Sequence, residues 1–336
     1  MKVARLHGAA DIRLHDEPKP VPAAGETLLR IRAVGLCGSD LHWLSEGGIG
    51  DAQLVHPLVL GHEFAATTDR GERVAVDPAI SCGQCEMCQK GNPNLCAQVV
   101  LAGHGAQDGA LREYMSWPTR CLHRLPDSLS DSDGAMLEPL GVALHAVDLG
   151  HLRAGMTVGV YGCGPIGLLI VQLARLAGAT AIIATDKLAH RLDAAKALGA
   201  QYAIAAQAKG EVQEIRSVTG GRGVDAAFEV AGDQDAVDVA FATAMPAGTV
   251  VLGGIPADDQ TSFQASVARR KGLTIRMVRR MKHTYPRAIP LVERGLVDVR
   301  SLVTHRFPLG RVAEAFETAR RREGLKVIVE PAQEGS

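Results

Sequence analysis

The run Thr157-Val158-Gly159-Val160-Tyr161 leads into Gly162-Cys163-Gly164-Pro165-Ile166-Gly167, and a helical pattern, Ile166–Ala177, follows. Glycines at these spacings, between a buried strand and a helix, leave the chain few folds to choose from. Gly162 permits a tight turn, Gly164 lets the backbone approach a pyrophosphate, and Gly167 lets helix pack close to strand. The anion then sits on free N–H groups of the helix's first turn, where Pro165 and Ile166 lie. A second apolar run, Ala181–Thr185, ends in Asp186, 24 residues past Gly162 and near the ~20 expected of an acid that accepts from a ribose diol. That acid also repels a 2′-phosphate, so the loop reads as one for NAD. Lys187 and Arg191 are the cations just beyond it, and either is a candidate contact for a 2′-phosphate.

Further runs at Ala226–Glu229 and Thr249–Leu252, with a helical pattern at Ala189–Leu198, extend the alternation over about residues 141–280. Strands alternating with helices predict βαβ units and a parallel sheet. Residues 1–140 differ: short β-like runs at Glu26–Val34, Arg73–Val76 and Leu111–Met115 are broken by Gly and Pro. Residues 281–336 return to a mixture, with a helix at Arg311–Arg321, a strand at Lys326–Glu330 and a frayed tail at 331–336. The expected class is α/β.

Composition removes several alternatives. A formal net charge of -1 and 4% aromatics in 336 residues leave no basic stripe and few stacking platforms for nucleic acid. The charge-sparse stretch 154–174 is long enough for a membrane span, but the glycines at 162–167 break a helix there, and strand, turn and helix fit better. The start of the chain lacks the apolar core of a secretion signal.

Seven cysteines, an odd number, argue against a disulfide framework. Four lie at Cys82-x2-Cys85-x2-Cys88-x7-Cys96, within a lobe of about residues 80–97. Four thiolates at that spacing close a tetrahedral zinc shell and leave no open position, so this site holds a loop and does no chemistry. A second constellation is looser: Cys37 among turn residues, Gly61-His62-Glu63, and Glu138-Pro139-Leu140. Cys, His and one or two carboxylates can hold zinc with a position left for water or an alcohol. Each of these residues taken alone reads more simply as packing or solvated surface.

With these motifs goes a resemblance. Gly35–His42, Gly61-His62-Glu63, the four-cysteine lobe, Asp108-Gly109-Ala110, Leu125-Pro126-Asp127, Glu138-Pro139-Leu140 and Gly162–Gly167 resemble the zinc-dependent medium-chain dehydrogenase/reductase family over about residues 1–330. Trp43 with Gly48-Ile49-Gly50, Gly141-Val142 after Glu138, and Leu302–Leu309 resemble its sorbitol and xylitol (polyol) members. The resemblance implies a GroES-like, β-rich catalytic domain (1–140 and 281–336), a Rossmann, doubly wound coenzyme domain (141–280), and an active site in the cleft between them. Its cofactors are NAD and two zinc ions per chain. Alcohol dehydrogenases place two Cys and one His on the catalytic zinc; here Glu138 stands where the second Cys would fall. The implied ligands are Cys37, His62 and Glu63, with Glu138 bound directly or through water.

By the same resemblance, Ser39 takes the alcohol proton and His42 passes it toward solvent through the nicotinamide ribose. Asp40 orients His62, and Gly254, Ile255 and Arg191 join the coenzyme contacts. Arg280, Glu138, Trp43 and Ile49 face the substrate. The basic run Arg279-Arg280-Met281-Lys282-His283 also fits an acidic or phosphorylated substrate, or a solvated hinge. The implied activity is oxidation of a secondary alcohol, a polyol first, with a diol, threonine or a sugar acid as alternatives on the same machinery. A non-catalytic dinucleotide sensor would not need Cys37, His62 and Glu63. The resemblance further implies a cytoplasmic homo-oligomer, dimer or tetramer, that binds neither nucleic acid nor membrane.

Overall fold

The computed structural model describes residues 1–207 and 210–331; the tail expected to fray lies, from 332 on, outside the described residues. The chain divides into two compact units. One comprises Met1–Pro139, Tyr285–Gly295 and Val299–Ser336; the other comprises Leu140–Thr284 and Leu296–Asp298.

In the second unit six parallel strands lie in the spatial order Tyr202–Ala205, Ala181–Asp186, Thr157–Tyr161, Val224–Glu229, Ala244–Leu252, Thr274–Met277. In chain order that is 3-2-1-4-5-6, the doubly wound arrangement whose direction reverses between the first and fourth strands. The strands are apolar because both faces are covered: Val160, Ile183, Phe228 and Val250 are fully buried. The stretch 154–174 forms the strand Thr157–Tyr161, the glycine turn and the start of the helix Pro165–Leu176. Among the described residues no helix is long and apolar enough to cross a membrane.

The first unit is built on a seven-stranded sheet. Its path runs Leu122–Arg124, Arg73–Val76, Glu63–Thr68, Glu26–Gly35, Lys326–Glu330, Val303–Pro308, with Tyr114–Pro118 also pairing onto Glu26–Gly35. The run expected as a strand at Leu111–Met115 is displaced: the ladder begins at Tyr114. Leu111 is buried, but its N–H donates to Leu60 and its carbonyl accepts from Ala4, so it bridges two segments outside any ladder. That bridge helps fix Leu58–Gly61, the segment before His62. Asp108 adds to it, accepting both from the Arg5 guanidinium and from the Val59 N–H at 3.1 Å. The cysteine lobe is an excursion closed by the short pair Ala79–Ile80 and Val100–Leu101.

Candidate active site

The strand Glu26–Gly35 delivers Cys37 to the start of the helix Gly38–Glu46, where Cys37 is the N-cap in extended conformation. Asp40, fully buried three residues on, accepts from the Cys37 N–H at 2.9 Å and from the Gly61 N–H at 3.2 Å. One carboxylate thus ties the Cys37 turn to the segment that carries His62. Its Oδ1 also lies 3.6 Å from His62 Nδ1, which leaves the other ring nitrogen to face a metal. Burial works against a charge on either partner. The pair overcomes it: Asp40 stands below the usual carboxylate range, and His62, facing Asp40 and the Cys37 thiol, stands well above ordinary imidazole.

Ligand atoms of Cys37, His62 and Glu63 lie within 4.8 Å of one another. Glu63 is brought there by register: it pairs with Gly35 across the sheet, and a Cβ on Gly35 would collide with its carboxylate. Its Oε2 also accepts from the ammonium of Lys326 at 2.5 Å, and the same ammonium donates to the Leu36 carbonyl at 3.0 Å. Lys326 is 3% exposed. A thiol, an imidazole and a carboxylate converge here with one cationic group, the Lys326 ammonium, drawn in beside them. That donor set suits zinc. Glu138, in the first turn of the helix Leu137–Leu149, is 6% exposed and lies outside the converging three. Its charge is felt at Lys326 and Tyr285.

Ser39 sits in the first helical turn, half-buried, two residues after the N-cap Cys37. His42 follows on the same face, its Nδ1 2.9 Å from Glu46 Oε1. Trp43 corrects an expectation. It is 1% exposed in the core and meets His104 edge-on at 5.5 Å between ring centres, because its face of the helix packs inward. It is a packing residue with no surface to offer a substrate. Ile49, half-buried, pairs with Ala52 in a two-residue ribbon.

In the other unit, Gly162 has φ +102°, a conformation few side chains accept, and a Cβ on Gly167 would collide with the Gly162 carbonyl. Gly164 is open: a Cβ there would meet only Arg191 Nη1, at 3.8 Å. Gly164 caps the helix Pro165–Leu176 without any side-chain hydrogen bond. Donors at the helix start and free space beside Gly164 fit a pyrophosphate. Asp186 accepts from the Cys163 N–H at 2.8 Å and the Leu188 N–H at 2.9 Å, with Arg191 Nη1 3.8 Å away. Lys187 pairs instead with Asp233. Ile255 is exposed, and Gly254 packs so tightly on Gly232 that a Cβ would strike its N–H. Arg280 is half-buried, and both it and His283 hold left-handed backbone, φ 54° and 49°.

The four lobe cysteines converge as a second set. Sγ–Sγ distances of 3.5 and 3.9 Å bracket the edge, about 3.8 Å, of a tetrahedron with ~2.3 Å arms. N–H groups of Gln84 and Cys85 hold the Cys82 thiol down, while its thiol neighbours, led by Cys88, push Cys85 up, so the set shares its protons.

Comparison with known proteins agrees in both units. Residues 23–127 match the alcohol dehydrogenase GroES-like domain and residues 165–294 match zinc-binding dehydrogenase. The chain is 36% identical to a sorbitol dehydrogenase of Bacillus subtilis, over 98% of this chain and 97% of that one. It belongs to the zinc-dependent medium-chain dehydrogenase family. A probable D-xylulose reductase of Arthroderma otae is 35% identical, over 96% and 95% of the two chains. The 2R,3R-butanediol dehydrogenase structure from Bacillus subtilis superposes with a TM-score of 0.87 at 30% identity, over 98% and 99%.

For this dehydrogenase, Lys326 and Glu46 are the residues that sequence reading did not reach. The one available signal for Lys326 was a lysine opening an otherwise apolar run. Glu46 offered only an i,i+4 spacing from His42. Asp186 carries a prediction. Asp186→Ser is expected to narrow the NAD-over-NADP ratio of kcat/KM by ~10–100-fold, the worth of hydrogen bonds to a charged group. Asp186→Asn separates the charge from the loop support, since its amide oxygen can still accept a backbone N–H. Wild-type kinetics favouring NADP would overturn the reading.

Proposed function

We propose that the protein oxidises a secondary hydroxyl of a polyol to a ketone, with NAD as acceptor. The observation that carries this is the convergence of Cys37, His62 and Glu63 beside a second buried carboxylate, Glu138, where alcohol dehydrogenases use a second cysteine. The sorbitol dehydrogenase and xylulose reductase names of its relatives support the same substrate class. Zinc supplies an electrophile that makes a hydroxyl proton easy to lose, and NAD supplies the hydride acceptor. Cys37, His62 and Glu63 hold the metal, and Asp40 keeps His62 in the tautomer that binds it. Ser39 Oγ takes the hydroxyl proton as it gives its own to His42. With Glu46 accepting from Nδ1, the acceptor on His42 is Nε2. The Gly162–Gly167 turn holds the pyrophosphate and Asp186 the adenosine ribose. We read Glu138 and Arg280 as hydrogen-bonding the remaining hydroxyls, with Ile49 as apolar wall.

Arg280 supplies the test. A pocket built around several hydroxyls leaves its own polar groups unpaired when they are missing. Arg280→Ala should lower kcat/KM for a pentitol or hexitol by ~1.5–3 kcal/mol and hardly change that for 2-butanol. Equal losses on both would assign Arg280 to coenzyme or hinge. The same panel should include an aldonate and a hexitol phosphate, because Arg279, Lys282 and His283 beside Arg280 favour an anionic sugar as the second reading. An odd count of seven cysteines, five of them in the two metal-donor sets, supports a reducing, cytoplasmic setting. The outer strand Thr274–Met277, with Met277 66% exposed, supports assembly into a dimer or tetramer.

A further inference from the structure

Glu229 ends the fourth strand of the parallel sheet and is 2% exposed. Its Oε1 accepts from the N–H groups of Ala231 and Gly232, both at 2.8 Å, and those of Asp233 and Gly254 also face the carboxylate. Burial disfavours its charge and these donors restore part of it. Its main-chain carbonyl accepts from Gly253 at 2.8 Å and Gly254 at 3.2 Å. Successive N–H groups turned to one point form a nest, a shape that ordinarily binds an external anion. Here the protein fills it with its own carboxylate. The result ties the turn after the fourth strand, 230–232, to the turn after the fifth, 253–255, so closely that Gly254 has no room for a Cβ.

The knot lies at the carboxyl ends of the strands, on the far side of the reversal point from Asp186. A dinucleotide crossing that point puts its adenosine half over the first and second strands and its nicotinamide half over the first and fourth. We propose that Glu229 is a positioning residue for the nicotinamide half, acting through the backbone of residues 231–232 and 254–255. This rests on the NAD reading above. It assigns Glu229 no contact with the reacting atoms.

Binding measured by calorimetry tests it, with NAD and ADP-ribose as probes, since ADP-ribose lacks the nicotinamide. Wild type should bind both. Glu229→Gln should weaken NAD about 10–100-fold and leave ADP-ribose within about 3-fold. A merely structural role would weaken both alike. Glu229→Asp, which keeps the charge but draws the carboxylate back from the N–H groups of Ala231 and Gly232, should give the same pattern if Glu229→Gln does not fold. Equal losses for the two ligands, or no loss for either, overturn the proposal. Wild type that binds neither ligand overturns the NAD reading itself, and the proposal with it.

Discussion

Cys37→Ala should abolish turnover and leave the melting temperature nearly unchanged, whereas Cys85→Ala should weaken the fold. The two cysteines differ in what their site contributes. Cys37 belongs to a three-residue set that leaves a coordination position for chemistry; losing the electrophile removes several kcal/mol of transition-state stabilisation, about 10³-fold or more in kcat. The turn it caps stays in place, because Asp40 still holds Gly61 and the helix. Cys85 belongs to a closed set in a lobe whose only ladder is the two-residue pair at Ala79–Ile80. Metal binding there is folding energy, ~10–16 kcal/mol in small zinc peptides. Zinc analysis should find about two ions per wild-type chain and one in each variant. Full activity in Cys37→Ala would remove the proposed chemistry.

Lys326→Met should cost about 3–5 kcal/mol of unfolding free energy in protein freed of the metal at Cys37, His62 and Glu63 but still holding that of the cysteine lobe, because it strands a buried carboxylate. Lys326 and Glu63 are both almost wholly inside, and the ammonium also holds the Leu36 carbonyl next to Cys37. Lys326→Met with Glu63→Gln should recover much of the loss, since neither charge then remains. Denaturant unfolding of the two single variants and the double variant measures the coupling. Purely additive costs would mean that the pair does not act as a unit.

These long-range pairs mark where sequence reading stops. The strands Arg73–Val76, Thr157–Tyr161 and Lys326–Glu330 and the helix Ala189–Leu198 are legible at their bounds. Each is a buried run or clear period closed by turn residues, and local pattern suffices. The strand Ala244–Leu252 is longer than its legible part, Thr249–Leu252, because Pro246 and Gly248 imitate a turn inside it. The two converging donor sets, Cys82/Cys85/Cys88/Cys96 and Cys37/His62/Glu63, are legible through spacing within short segments. Glu63 against Glu138 was not, because the choice depends on which carboxylate the sheet register aims at Cys37. Trp43 read as a wall because sequence does not say which helix face packs inward. Lys326 meets Glu63 across 263 positions of chain, and no local window contains both.

That same separation bears on how the molecule is made. Lys326 opens the last strand in chain order, and that strand lies between Glu26–Gly35 and Val303–Pro308. A nascent chain leaving the ribosome therefore completes Leu140–Thr284 while the sheet beneath Cys37 and Glu63 still lacks a member. Domains fold as units during synthesis, so the dinucleotide unit can close first. The pocket for the active metal is finished only when the final strand is threaded in. Completion of that pocket waits for Lys326–Glu330 to leave the ribosome, whereas the cysteine lobe, made from residues 82–96, can capture its own ion early.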